Sequence, residues 1–439
     1  MLIGFGALFL AGNLWPELSR VELFAKYWPF LLIGWGVLRL LEIGFWAATS
    51  KPLPAAGISG GEWFLVILLC LIGAGAFWTR NRNWWPPPWR IGVRGIEVFG
   101  ESYDFPIQEQ TRPAKVSRVI LENMRGNTRV SGADTQEVKV SGRKTVRAFR
   151  QSDAEEADRE SPVQIVTESD QIVVRAGRER ADGRRRISTD LEITVPRGAG
   201  IEGRGRYGDF DVTDINGTVQ ITSDNAGVRL HNIGGEVRID LRRSDTVRAV
   251  NVKGPVDLRG RGRDVELENI EGQVTIQGSY SGDLLFRNLA KPLRFESSST
   301  NLHIEKLPGR MSMDLGDITA TNLVGPIRLT TKSRDVQLEE FTQSLEISVE
   351  RGDIGLRPKH LPLAQMDARS GAGDLALTVP GSGKFELTAR TSRGEAHNEF
   401  GPPIRVETNG HGASLKGAAG QGPSITLSTA RGSITVRKE

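Results

Sequence analysis

The sequence predicts an all-β chain: a right-handed parallel β-solenoid preceded by a small α-helical transmembrane region. Three observations carry this expectation. One short phrase recurs eight times between Asp211 and Asp353, as DINGTVQI, NIGGEVRI, NVKGPVDL, NIEGQVTI, NLAKPLRF, KLPGRMSM, NLVGPIRL and EFTQSLEI. Apolar and polar residues alternate inside each unit, as at Val265, Leu267, Ile270, Val274 and Ile276, which is the period of a half-buried strand. The first eighty residues, by contrast, hold three long apolar runs crowded with Trp.

The repeat is regular enough to set a geometry. Its heading residues are Ile215, Ile233, Val252, Ile270, Leu289, Leu307, Leu323 and Phe341, at steps of 18, 19, 18, 19, 18, 16 and 18. About 18 residues accommodate two strands and two turns, and one such coil cannot bury its own apolar face. Neighbouring coils must therefore stack on one another. Asp264, Asp283, Asn301, Asp317, Asp335 and Asp353 each precede the first apolar residue of a coil, where Asp and Asn satisfy local backbone donors. Asn232, Asn251, Asn269, Asn288 and Asn322 recur just before the heading aliphatic. At a coil spacing of roughly 4.8 Å their amides can bond up and down the axis as a ladder; the alternative is that Asn is simply a common turn residue.

At 439 residues the chain has room for two or three domains. Its 51 glycines and 21 prolines, with 38% hydrophobic residues, fit a turn-rich β protein with a real core rather than a disordered one. A net charge of +4 and a pI near 9.2 are mild and call for no nucleic acid. Cys70 is the single cysteine, so no intramolecular disulfide exists.

The apolar runs are Met1 to Leu10, Trp28 to Trp46 and Trp63 to Trp78. All three are expected to lie in a membrane. The first, even extended to Trp15, spans only about 22 Å as a helix, short of a ~30 Å hydrocarbon layer. Either the true start lies upstream, or this segment is half of a hairpin. A cleaved signal peptide fits less well, because no basic region precedes the run and further apolar runs follow. Arg39 and Glu42 share a helix face and can pair, or Arg39 can snorkel. Arg20, Lys26, Arg80, Arg82, Arg90 and Arg94 flank one side against Lys51 on the other, so positive-inside bias places the large domain in the cytoplasm of a bacterial inner membrane. The alternative is an extracytoplasmic domain. WWPPPW, residues 84–89, reads as an interfacial anchor with a stiff exit.

The expected domains are a transmembrane region (1–80), a juxtamembrane linker (81–115), an N-terminal β region with a short charged helix (116–200) and the solenoid with atypical end coils (201–439). The helix falls on SDAEEADRES, capped by Ser152 or Asp153. The basic loop RERADGRRR, 178–186, is a solvated turn or a contact for anionic lipid.

LEITVPRGAGIEGRGRYGDFDV, the G-x-V-x-I coils and the closing STARGSITV resemble the bacterial β-strand-repeat domain of unknown function described as a putative adhesin, over about Val116 to Val436. LIGFGALFLAGNLW followed by YWPFLLIGWGVLRLL is similar to the LiaI/LiaF-like transmembrane region of cell-envelope stress regulators, although such regions usually begin with a polar lead. The resemblance implies an architecture and a role in envelope stress signalling or surface interaction. It implies no catalytic residues.

Residue patterns add little chemistry. His231, His303, His360, His397 and His411 are dispersed, so no metal site is expected. Gly203, Gly205 and Gly208 spell G-x-G-x-x-G but lead into a strand, so a pyrophosphate would find no helix N-terminus. Arg351, Gly352 and Asp353 spell RGD where other coils have LGD, SRD and SGD, as a turn of the repeat. A polysaccharide-cleaving β-helix would need converging carboxylates on its flank. The expected outward rows are Arg229, Arg248, Glu266, Leu285, His303, Thr319 and Gln337, and Arg238, Asp257, Thr275, Arg294, Ser312, Arg328 and Glu346. Neither supplies such a pair. The expectation is a non-enzymatic, membrane-integral scaffold with a protein partner and no cofactor.

Overall fold

The computed structural model describes residues 101–439 except 115–116, 169 and 178–185, together with residue 37; of Arg186 it describes the backbone alone. The three apolar runs, WWPPPW and residues 178–185 of the basic loop lie outside the described residues. Among the described residues no helix is long and apolar enough to cross a membrane.

The predicted stacking is present. Ile215, Ile233, Val252, Ile270 and Leu289 lie opposite one another on successive parallel strands. All five are at most 1% exposed. On the second strand of each coil Val219, Val237, Val256, Val274 and Leu293 stack in the same way. One apolar cluster runs from Val119 to Val436, so each coil is closed only by its neighbours.

The coils are not all parallel. Strand Thr300–Met313 runs antiparallel to Leu284–Leu289 and Leu293–Glu296 below it and to Asp317–Ser333 above it. Two four-residue turns make this reversal. At the first, Ser297 Oγ accepts from Thr300 N at 3.0 Å. At the second, Asp314 Oδ1 accepts from Gly316 N at 2.7 Å and Asp317 N at 2.6 Å. The reversed coil still buries Leu302, Ile304, Met311 and Met313, because alternation along a strand is the same read in either direction. Its outward residues change rows, however. His303 sits between Arg294 and Arg328 in the second row, and Ser312 between Leu285 and Thr319 in the first. The two expected rows exchange these members.

Both ends are also built differently from the expectation. Arg118–Arg125 and Thr128–Ala133 form a coil directly beneath Gly200–Tyr207 and Phe210–Ile215, so parallel pairing continues across residue 200. Glu101–Pro113, within the segment expected as a linker, is a strand antiparallel to Glu137–Ala148. At the other end, Ser424–Thr429 and Ile434–Lys438 insert between the coil of Met366–Ser370 and Leu375–Val379 and that of Phe385–Thr391 and Ala396–Glu399. The chain's last strands are thus inside the stack. The antiparallel strands Arg405–Asn409 and Gly412–Ala419 lie beyond Phe385–Thr391.

The charged helix is Gln151–Glu160, and neither Ser152 nor Asp153 caps it. The N-cap residue is Arg150, with no side-chain cap bond. Asp153 lies in the first turn, where its charge complements the helix dipole. The helix is held instead by Ala154 and Ala157, buried against Val146 and Ala148, and by a bond from Lys144 Nζ to Asp158 Oδ1 at 2.6 Å.

Two outcomes test this arrangement. Ile270→Asp, which buries an unpaired charge between coils, should destabilise by about 3–5 kcal/mol. Arg229→Ala, which removes an exposed pair to Asp209 at 3.5 Å, should cost under about 1 kcal/mol. Denaturant midpoints of the two variants read the difference. The Asp314 turn gives a pH signature: the Asp317 and Gly316 N–H groups hold the Asp314 carboxyl below its ordinary range. Its contribution is complete above the ordinary Asp pKa of about 3.9 and is lost as pH falls through the lowered folded value. Protection of the Gly316 and Asp317 amides, as the exchange rate relative to an unstructured chain at the same pH, should fall over that acid window, and Asp314→Ala should lack that protection at every pH.

Candidate functional site: an asparagine groove

Each coil must turn sharply before its heading aliphatic, and the residue there takes a left-handed backbone. Asp214, Asn232, Asn251, Asn269 and Asn288 have φ of 58, 57, 58, 56 and 50°. Asn and Asp tolerate this region better than other residues with a Cβ. The turn explains why Asn recurs, and stacking makes the recurrence into something more. Asn288 Nδ2 donates to Asn269 Oδ1 at 2.8 Å, Asn269 to Asn251 at 2.9 Å, Asn251 to Asn232 at 3.1 Å, and Asn232 to Asp214 Oδ1 at 2.9 Å. Turn residue and ladder are therefore the same fact seen along the chain and across it.

The ladder has defined ends. At the lower end its last acceptor is a carboxylate, toward which the aligned amides point their donors. At the upper end Arg287 lies opposite Arg310 and Leu289 opposite Leu307, so Asn288 faces Pro308 and Gly309 of the reversed coil. No side-chain amide is offered there. Asn322 adopts the same backbone, with φ 55°, on the far side of the interruption.

Beside the ladder the chain packs closely between coils. A Cβ on Gly254 would lie 2.2 Å from the Gly235 carbonyl oxygen, so the glycine keeps the coils at hydrogen-bonding distance. The result is an open groove of about 490 Å³ along the axis, lined by the ladder with Arg197, Asn216, Gly234, Lys253, Glu271 and Ala290.

A second ladder occupies another corner. Asp209 Oδ1 accepts from Gly227 N, Asp264 from Asp283 N, Asp335 from Asp353 N, Asp353 from Asp374 N, and Asp374 from Ser433 N, at 2.7–3.0 Å. The aspartates at these coil corners satisfy donors of the next coil rather than local ones, because the stack brings the equivalent turn closer than the residue's own.

The motifs set aside in the sequence have structural explanations. Gly203 and Gly205 lie against the Phe210 ring, where a Cβ would come within 2.8 and 3.0 Å. In the RGD tripeptide Gly352 has φ 142°, and Asp353 belongs to the second ladder. Several flank carboxylates are ion-paired: Glu266 with Arg248 at 3.1 Å, Asp257 with Arg259 at 3.0 Å and Asp367 with Arg369 at 2.7 Å. The sequence named Asn232, Asn251, Asn269 and Asn288 of the ladder but not its terminal acceptor Asp214, and it included Asn322, which the reversed coil separates from the rest; it did not name the groove, which requires the row Asn216, Gly234, Lys253, Glu271 and Ala290 to be read as a wall.

The profile of the Toastrack DUF4097 family matches residues 152–437. Among solved structures, the chain is similar to a putative cell adhesion protein from Clostridium sporogenes, at 8% identity over 76% of this chain and 100% of that one, with a TM-score of 0.18. A putative adhesin from Bacteroides fragilis is matched at 12% identity over 76% and 97% of the two chains, with a TM-score of 0.18. A putative lipid binding protein from Parabacteroides distasonis is matched at 10% identity over 75% and 96%, with a TM-score of 0.22. Among curated proteins none matches.

Two substitutions at one rung separate its two roles. Asn251→Gly keeps the left-handed turn and removes two ladder bonds, at about 0.5–1.5 kcal/mol each. Asn251→Ala removes the same bonds and adds the left-handed penalty of roughly 1–2 kcal/mol. Thermal or denaturant unfolding should rank the native chain above the Gly variant and the Gly variant above the Ala variant.

Proposed function

The chain belongs to the Toastrack DUF4097 family, and from that premise we propose that it is a non-enzymatic binding scaffold, held at the membrane by its N-terminal apolar runs, with the solenoid flank as its recognition surface. The observation that carries this reading is the asparagine groove: a long polar track on a rigid stack, with hydrogen-bonding capacity to spare. The ion-paired carboxylates of the flank support recognition over turnover, since a general acid and base must be free to exchange protons. The LiaI/LiaF-like resemblance of the first eighty residues supports a role in cell-envelope stress.

The arginine bias beside the apolar runs supports a cytoplasmic solenoid. A second reading, display on the outer surface, is favoured by the neutral chemistry of the groove, which suits an envelope polymer better than a charged cytoplasmic partner. A reporter enzyme fused near Ser102 separates the two: activity only inside the cell supports the first, and protease cleavage of the 178–186 loop in intact cells supports the second. For the binding role under the outer-surface reading, the full chain in lipid nanodiscs should sediment with purified envelope polymer. The double variant Asn251→Gly/Asn269→Gly should sediment less than the native chain. Equal sedimentation, or none by the native chain, would remove the groove as the recognition surface.

A further inference from the structure

We infer that the groove holds a neutral, β-linked oligosaccharide lying along the solenoid axis, about one sugar per coil. This rests on the outer-surface reading above and names the class of ligand. An amide carries two N–H donors and a carbonyl that accepts two bonds. Asn232, Asn251 and Asn269, which line the groove, each use one donor and one acceptor within the ladder, and each amide has one further N–H and one further lone pair. Every coil step thus offers a donor beside an acceptor, the pattern that a vicinal pair of hydroxyls or an N-acetyl group completes.

Spacing decides between polymers. The rungs recur at the coil spacing of ~4.8 Å, so every second rung lies ~9.6 Å on, close to the two-sugar repeat after which an extended β-1,4 chain, whose successive rings are turned over, presents the same edge again. An extended peptide laid along the axis repeats the same face every ~6.7 Å and falls out of step after one or two rungs. Charge decides against polyanions. The four charged residues of the groove are Arg197, Lys253, Asp214 and Glu271, which balance, and Arg197 is already paired with Asp134 at 3.1 Å. A phosphate polymer requires a net cationic track.

The ends of the groove set the length of the ligand. Asp214 closes the lower end, and the reversed coil removes the rung above Asn288. The four steps between them span ~19 Å, about four sugars. The reversed coil thereby acquires a functional reading: it stops the track. Without an aromatic platform, binding by one groove is weak, and tight attachment comes from several molecules on one polymer.

The full chain in lipid nanodiscs should be titrated calorimetrically with chitobiose, chitotetraose, chitohexaose and cellohexaose, and with α-linked maltohexaose as the chain of different pitch. Chitotetraose and chitohexaose should bind within about threefold of each other, and chitobiose and maltohexaose at least about tenfold more weakly, a difference of roughly 1.4 kcal/mol. Asn251→Gly/Asn269→Gly should weaken chitotetraose at least about tenfold, while Thr330→Ala, outside the groove, should leave it unchanged. A thermal scan confirms that each variant is folded. Equal binding of maltohexaose, continued gain in affinity beyond four sugars, or an unaffected groove variant would overturn the inference. Groove-dependent sedimentation with envelope polymer but no binding of any oligosaccharide would remove the glycan and leave the scaffold. Loss of both would remove both.

Discussion

The solenoid depends on one constraint: each coil completes its backbone hydrogen bonds and its apolar core with the coil above and the coil below. A buried strand cannot leave its N–H and C=O groups unpaired, and an 18-residue coil has no second layer of its own. Identical positions are therefore held one above another at the strand spacing. Residue chemistry chosen for a local reason, such as Asn for a left-handed turn, is converted into a row. The asparagine ladder and the aspartate ladder are both products of this conversion, and the groove is the space that one of them leaves open.

The same constraint explains why a reversed coil is tolerated. Antiparallel pairing satisfies backbone groups as well as parallel pairing does, and side-chain alternation is indifferent to chain direction. Core residues of Thr300–Met313 remain buried among those of their neighbours. What the reversal changes is the surface: outward residues cross from one row to the other, and the left-handed Asn turn has no counterpart in that layer. A change that costs the core little thus ends a surface track abruptly.

The inward columns and the ladder were legible in the sequence, because a period near 18 with Asn before each heading aliphatic is a statement about stacking. The reversal was not. Its turns, around Ser297 and Asp314, use the same small and acidic residues as ordinary coil corners, and its traces are slight: the step of 16 between Leu307 and Leu323, and Lys306 where the flanking coils have Asn288 and Asn322. The coil of Arg118–Arg125 and Thr128–Ala133 escaped for a related reason: no Asn-aliphatic phrase marks it, although Val119, Leu121 and Val130 are fully buried. At the C-terminus, insertion of Ser424–Thr429 between earlier coils is a long-range choice that no local pattern encodes. The groove needed both a ladder and a wall, and only the ladder has a signature in the letters.

The register around the reversed coil is the most exacting consequence of the account, and paired cysteines read it directly in a Cys70→Ser background. Ser312→Cys with Thr319→Cys places the two thiols on directly opposed strands, and the account predicts ready cross-linking by a short bifunctional reagent while His303→Cys with Thr319→Cys stays unlinked. The opposite result, His303 joined to Thr319, would mean that all the coils run one way, and the rows, the ends of the ladder and the groove would have to be redrawn.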